Sequence, residues 1–135
     1  RLYTTNLKII IIPILLLHGT RHFGMMFLEP GATEPGMPLP FAYPAAYGDF
    51  AASILALISL FFVLKNLKGK HIMLWIFNVE GSLDLLVAII LATYYDVSPY
   101  MGAAYWIPVL WVPALIVTHY IMFKLLVIGK VSSAA

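Results

Sequence analysis

The sequence predicts an all-α membrane protein, built as a bundle of four transmembrane helices. Its 135 residues are 62% hydrophobic and only 10% charged, whereas soluble domains are about half apolar and about one quarter charged. A membrane-spanning helix needs roughly 20 mostly apolar residues, so four helices with short turns occupy nearly the whole chain. We therefore expect a single transmembrane domain over residues 1–135, embedded in a lipid bilayer.

Four long apolar stretches mark the expected spans. They cover about residues 7–28, 45–64, 72–94 and 105–128, and each is long enough to cross a bilayer. The segment between the first two, residues 29–44, contains five prolines and two glycines. Because that composition is incompatible with a continuous helix, we expect an extended outer loop that covers one end of the bundle like a lid.

The distribution of charge predicts an orientation. If the spans alternate in direction, most basic residues fall at one end of the bundle, namely Arg1, Lys8, Lys65, Lys68, Lys70, Lys124 and Lys130. The acidic residues at the opposite end are Glu29, Glu34, Asp49 and Asp96. The positive-inside rule then places the N and C termini in the cytoplasm, and we expect a bacterial cytoplasmic (inner) membrane.

The composition also limits the chemistry. The chain has no Cys, which excludes disulfides and thiolate ligands for iron–sulfur clusters or haem. Any metal or haem would have to be held by His, Met, Tyr or carboxylate side chains. The formal charge of +2 is explained by membrane topology, so we expect no nucleic acid partner. No cofactor is required by the sequence.

Several ionisable residues fall inside the predicted spans, where charge is costly and side chains usually face the bundle interior. The expected buried polar network comprises Arg21, Asp49, Asn78, Glu80, Asp84 and His119. Asp49 falls within about the first turn of the second span. Depths estimated from a rise of ~1.5 Å per residue pair Glu80 with His119, Asp84 with His18 or Arg21, and Asp49 with Arg21. Such a network either fixes helix packing or serves a proton or a ligand.

Three histidines are candidate cofactor ligands. His18 and His22 have the i,i+4 spacing at which two imidazoles can share a metal. His18 and His119 lie at similar expected depths on different helices, as the two axial ligands of a haem b would. A simpler alternative is one buried His bonded to a carboxylate and one interfacial His in water. A quinone is a further candidate ligand for the same groups.

Four motifs resemble those of a group of small bacterial integral membrane proteins of unknown function. They are Arg21-x-x-Gly24, Phe41-Ala42-x-Pro44-Ala45-x-x-Gly48-Asp49, Trp75-x-x-Asn78-x-x-Gly81-x-x-Asp84-Leu85, and Val112-Pro113 leading to His119. The Pro-Ala-x-x-Gly-Asp segment is the most specific part. The resemblance implies a shared polar interior that includes Arg21, Asp49, Asn78, Asp84 and His119, and it implies no activity. A looser likeness in topology links the chain to four-helix DoxX-type proteins, which are associated with quinone-linked oxidation.

These features favour an accessory or structural subunit of a larger membrane complex, packed against other integral membrane subunits and without catalytic activity of its own. Two other hypotheses stay open. One is a redox protein that binds haem, a metal or a quinone through His18, His119 and the carboxylates. The other is a small transporter or proton relay that uses the buried polar residues, which are ordered by estimated depth in the bundle from Glu80 to Asp49.

Overall fold

Four α-helices follow one another in residues 2–128, the part of the chain that the computed structural model describes. They are α1 (Leu2–Gly19), α2 (Leu39–Leu64), α3 (Lys70–Tyr94) and α4 (Val112–Ile128). A 3₁₀ helix over Arg21–Leu28 extends the first span, and a π-helical turn over Ile107–Trp111 precedes α4. The four resulting spans are long and apolar enough to cross a membrane, which confirms the all-α, four-helix prediction. Arg1 and Lys130, used above in the charge argument, lie outside the described residues.

Side-chain hydrogen bonds end α1 at Gly19. The Thr20 hydroxyl donates to the Leu17 carbonyl at 2.5 Å, and the Ser53 hydroxyl, on α2, donates to the Gly19 carbonyl at 2.6 Å. Because these carbonyls accept hydrogen bonds from side chains, the backbone leaves the α-helical pattern. It continues with the tighter i→i+3 bonds of a 3₁₀ helix, which turns about 120° per residue instead of about 100°.

The second helix begins at Leu39, earlier than the predicted start at residue 45. Pro38 precedes its first turn and Pro40 lies within that turn, where the N–H that proline lacks would have no partner in the helix. The proline-rich loop is therefore limited to residues 29–38. Asp49 consequently lies in the third turn of α2, deeper in the bundle than the sequence indicated.

The proline-rich loop is fixed to the connection between α3 and α4. The Glu34 N–H donates to the Tyr100 carbonyl at 2.9 Å, and the Ala104 N–H donates to the Ala32 carbonyl at 2.8 Å. Gly102 permits this approach, because its φ is +52° and a Cβ there would lie 3.1 Å from the Ala32 carbonyl oxygen. The two connections form one cap rather than a separate lid. We call this the loop end of the bundle, and the opposite end, with the α2–α3 turn, the basic end.

The buried interior has three layers along the helix axes. The apolar layer nearer the basic end consists of Ile11, Ile14, Leu15, Ala56, Val63, Leu74, Phe77, Met122 and Leu126. The apolar layer below the cap consists of Phe27, Phe41, Ala42, Ala45, Val97, Met101, Ala104 and Ile107. Along each span, most of the buried polar side chains lie between these two layers, namely His18, Arg21, Ser53, Asn78 and His119, whereas Ser59 lies within the layer nearer the basic end. Since apolar side chains close the polar layer at both ends, its groups have to pair with one another.

Candidate functional site

Arg21 is the centre of the polar layer. Its side chain is fully buried, with 0% exposed, and its guanidinium reaches the other three helices. Nε donates to Oδ1 of Asp49 on α2 at 2.8 Å, and Nη2 donates to Oδ2 of Asp84 on α3 at 2.6 Å. Nη1 contacts the Gly81 carbonyl on α3 and Nε2 of His119 on α4, both at 3.2 Å. A single side chain thus links all four spans, and we call these five residues the Arg21 cluster.

Hydrogen bonds assign the protonation of His119. A guanidinium has only N–H donors, so Nε2 of His119 accepts from Arg21. The ring proton is therefore on Nδ1, which donates to Oδ1 of Asn78 at 2.7 Å. The Asn78 amide nitrogen donates in turn to the His119 backbone carbonyl at 3.3 Å. His119 is a neutral imidazole held at both ring nitrogens.

The 3₁₀ helix aims Arg21 into the bundle. In such a helix every third residue returns to the same face, and Arg21, Gly24 and Phe27 are the buried residues of this segment. The spacing of the Arg21-x-x-Gly24 motif therefore places the cation and the glycine on the interior side together.

Two glycines make room for the carboxylates. The Asp49 carboxylate packs against Gly24, where a Cβ would lie 2.7 Å from the Asp49 Cγ, and the Asp84 carboxylate packs against Gly48, where a Cβ would lie 2.5 Å from the Asp84 Cγ. Both distances are far below van der Waals contact, so a side chain at either glycine would displace the acid. Sequence reasoning did not predict either contact between a glycine and an acid, although each glycine lies in a motif that also contains a charged residue of the cluster.

Gly81 has the same function on α3. A Cβ at this position would lie 2.7 Å from the imidazole of His119 and 2.8 Å from Nη1 of Arg21. The missing side chain also leaves the Gly81 carbonyl open to the guanidinium. Close approach of charged side chains to backbone therefore occurs at three separate glycines.

His18 lies beside the Arg21 cluster and is fully buried. Its Nε2 is 2.8 Å from the Thr118 hydroxyl, and Nδ1 has no hydrogen-bond partner among the described residues. Its ring packs against that of His119, with centroids 4.2 Å apart. That contact leaves no space for a porphyrin between the two imidazoles, so they do not form the expected pair of axial haem ligands.

His22 does not join His18 on one face. Its side chain is exposed, and its Nδ1 is turned back to the Gly19 carbonyl at 3.2 Å. The reason is the change to a 3₁₀ helix, which rotates the ring away from the position that an α-helix would give it. Within residues described by the structure, no group of three or more His, Asp or Glu side chains converges as metal ligands.

Glu80 does not pair with His119, which corrects the pairing expected from estimated depth. Both ring nitrogens of His119 are taken by Arg21 and Asn78. Asn78 and Glu80 are about 200° apart around an α-helix, so α3 presents Asn78 to α4 and turns Glu80 aside. Glu80 is half-buried, and its shielded Oε2 has no partner among the described residues.

Helices α3 and α4 enclose an apolar groove of about 300 Å³ on the side of the bundle. Its walls are Ser82, Leu85, Leu86, Ile89, Ile116, His119, Tyr120 and Phe123, which follow i, i+3, i+4, i+7 spacing on both helices. The Ser82 hydroxyl donates to the Asn78 carbonyl at 2.6 Å. Since His119 is also bonded at both nitrogens, these two polar side chains of the groove are already satisfied inside the bundle.

Alanine at Gly24, Gly48 or Gly81 should destabilise the bundle by about 1–3 kcal/mol each, the usual effect of overpacking. Gly19→Ala is the matched control, because its Cβ would meet only the flexible end of Leu57 at 2.9 Å, and we expect little change. Thermal unfolding in detergent, followed by circular dichroism, measures the difference. If the variants at Gly24, Gly48 and Gly81 all melted like the wild type, the close approach of the charged side chains to these glycines would not be required.

Comparison with known proteins places the chain in a family. Searches of the curated proteins and of the solved structures gave no significant match. A protein-family model described as a domain of unknown function, DUF8737, matches residues 1–127. The match includes every residue of the Arg21 cluster. The chain therefore belongs to the DUF8737 family.

Proposed function

We propose that this protein is a structural subunit of a larger membrane complex. The observation that carries the proposal is the use of Arg21 inside the fold. Four of its five N–H donors are directed at Asp49, Asp84, Gly81 and His119. A guanidinium occupied in this way fixes the packing of its own helices and has little capacity left for a substrate.

The surfaces open to other molecules are mostly the sides of the helices. Between the spans, the described chain has only short connections, residues 29–38, 65–69 and 95–101. Large apolar side chains face outwards on every span, for example Ile9, Leu57, Leu83 and Leu110. Such faces contact lipid or the helices of other membrane proteins.

The groove between α3 and α4 is the face that best fits a partner's helix. Its walls repeat at the spacing by which a helix packs into a groove. The bonds made by Ser82 and His119 within the bundle leave a mainly apolar surface, so the docking helix would present apolar side chains. Association would then depend on close packing, as is usual between helices in a bilayer.

The protein extracted from its native membrane in mild detergent should co-migrate with another membrane polypeptide at a fixed ratio. Native gels and native mass spectrometry measure that ratio.

Ile116→Trp, which fills the groove, should weaken the association by about tenfold, equivalent to about 1.4 kcal/mol. Leu110→Trp is the control, since Leu110 is 67% exposed and lies outside the groove. A wild-type chain that runs alone would contradict the proposal, and equal effects of the two variants would exclude the groove as the contact.

We infer further that the basic end faces the cytoplasm of a bacterium and that both termini lie on that side. The support is charge. The α2–α3 turn contains Lys65 and Lys68, and Lys70 is the first residue of α3, while the loop at the opposite end contains Glu29 and Glu34. Short loops on the cytoplasmic side of a membrane carry an excess of Lys and Arg.

The absence of Cys from the sequence makes this orientation simple to test with single cysteines. Glu34→Cys and Lys68→Cys place a thiol at an exposed position on opposite ends of the bundle. In intact spheroplasts, a membrane-impermeant maleimide should label Glu34→Cys, and should label Lys68→Cys only after the membrane is permeabilised. The reverse labelling pattern would show that the basic end faces away from the cytoplasm, and it would contradict the proposed orientation.

A further inference from the structure

The Arg21 cluster contains more acids than bases. The guanidinium of Arg21 is permanently charged, and it is paired with the two carboxyl groups of Asp49 and Asp84. With both carboxyls ionised, the cluster would have a net charge of −1. It lies between two apolar layers within the spans, where an uncompensated charge is costly.

No other described group near the cluster supplies the missing positive charge. His119 is a neutral acceptor towards Arg21, and among the described residues the His18 ring hydrogen-bonds only with the Thr118 hydroxyl. Glu80 lies one helical turn before Asp84 and is itself an acid. The described lysines are all near the basic end, namely Lys8, Lys65, Lys68, Lys70 and Lys124.

Each aspartate has one carboxylate oxygen that Arg21 does not use. Asp49 Oδ1 and Asp84 Oδ2 accept from the guanidinium, whereas Asp49 Oδ2 lies against Gly24 and Asp84 Oδ1 against Gly48. Neither of these two oxygens has a hydrogen-bond partner among the described residues. The side chains also keep a small exposed fraction, 13% for Asp49 and 11% for Asp84. Each carboxyl therefore has a free oxygen that can take up a proton, and neither side chain is completely enclosed by the bundle.

We propose that the Arg21 cluster binds one exchangeable proton, held on Asp49 or Asp84. A proton from water forms one O–H bond on a free carboxylate oxygen, and the net charge of the cluster changes from −1 to 0. The other carboxylate stays ionised as the partner of Arg21. This is a binding site for a proton in addition to the structural role, and it does not depend on whether the protein has a partner.

A metal cation would neutralise the cluster equally well, but the geometry favours a proton. Ca²⁺ takes six to eight oxygen ligands and Mg²⁺ takes six, including the water molecules that they retain. The cluster offers the two free oxygens of Asp49 and Asp84, and within the described residues no set of three or more ligating side chains converges. A proton needs only one oxygen.

Infrared spectroscopy of the protein in liposomes tests the proposal, because the C=O stretch of a protonated carboxyl is separate from that of a carboxylate and shifts in D₂O. We expect one protonated cluster carboxyl per chain at neutral pH. Asp49→Asn and Asp84→Asn should each abolish its signal, since either variant leaves one acid for one base and asparagine keeps an oxygen for Arg21. Glu80→Gln, the matched control on the same helix, should retain it.

The proposal is overturned if the wild-type protein shows no protonated carboxyl, or if the signal survives in both asparagine variants. A signal that appears only when sodium is removed would assign the site to a metal cation and would also overturn it. The wild-type spectra in H₂O and D₂O require no variant, so they decide the first point even if a substitution prevents folding.

Discussion

A guanidinium buried among four apolar helices must obtain its hydrogen bonds from the protein, and this requirement for Arg21 organises the bundle. The other three helices each provide acceptors: Asp49 on α2, Asp84 and the Gly81 carbonyl on α3, and His119 on α4. The acceptors point in different directions around one planar group, so the helices can satisfy it in only one relative arrangement. Helix depth, helix rotation and the positions of the glycines all follow from that arrangement.

The cluster contributes more to the choice of one structure than to net stability. Pairing buried charges offsets their desolvation without a large surplus, whereas removal of one partner costs about 3–5 kcal/mol. The apolar layers on either side could slide with little penalty, because lipid and protein interior are similarly apolar. A slip of one residue in any helix would separate Arg21 from at least one of its acceptors, so the polar layer sets the register. The close contacts at Gly24, Gly48 and Gly81 restrict the register of the helices in the same way, through steric fit.

The sequence predicts the spans and most members of the polar layer, because length, hydropathy and intramembrane charge are local properties. It could not predict details that depend on other helices. Asp49 lies deeper than expected, since Pro40 is accommodated in the first turn of α2. His22 faces outwards because a hydroxyl from another helix, that of Ser53, helps to end α1 at Gly19. Glu80 points away from His119 because of the rotation of α3 about its axis. That rotation is determined by the packing of the four helices and not by the local sequence. No residue pattern in the chain identified an activity.

Whether the ion cluster holds the four helices in place is tested most directly by charge rescue. Arg21→Gln leaves the buried carboxyl groups of Asp49 and Asp84 without their cation, and we expect the free energy of unfolding in bicelles to fall by about 3–5 kcal/mol. Adding Asp49→Asn and Asp84→Asn to this variant removes both acids, and with them the uncompensated negative charge, and should restore most of that loss. The account is contradicted if Arg21→Gln alone is as stable as the wild type, or if the triple variant is no more stable than Arg21→Gln.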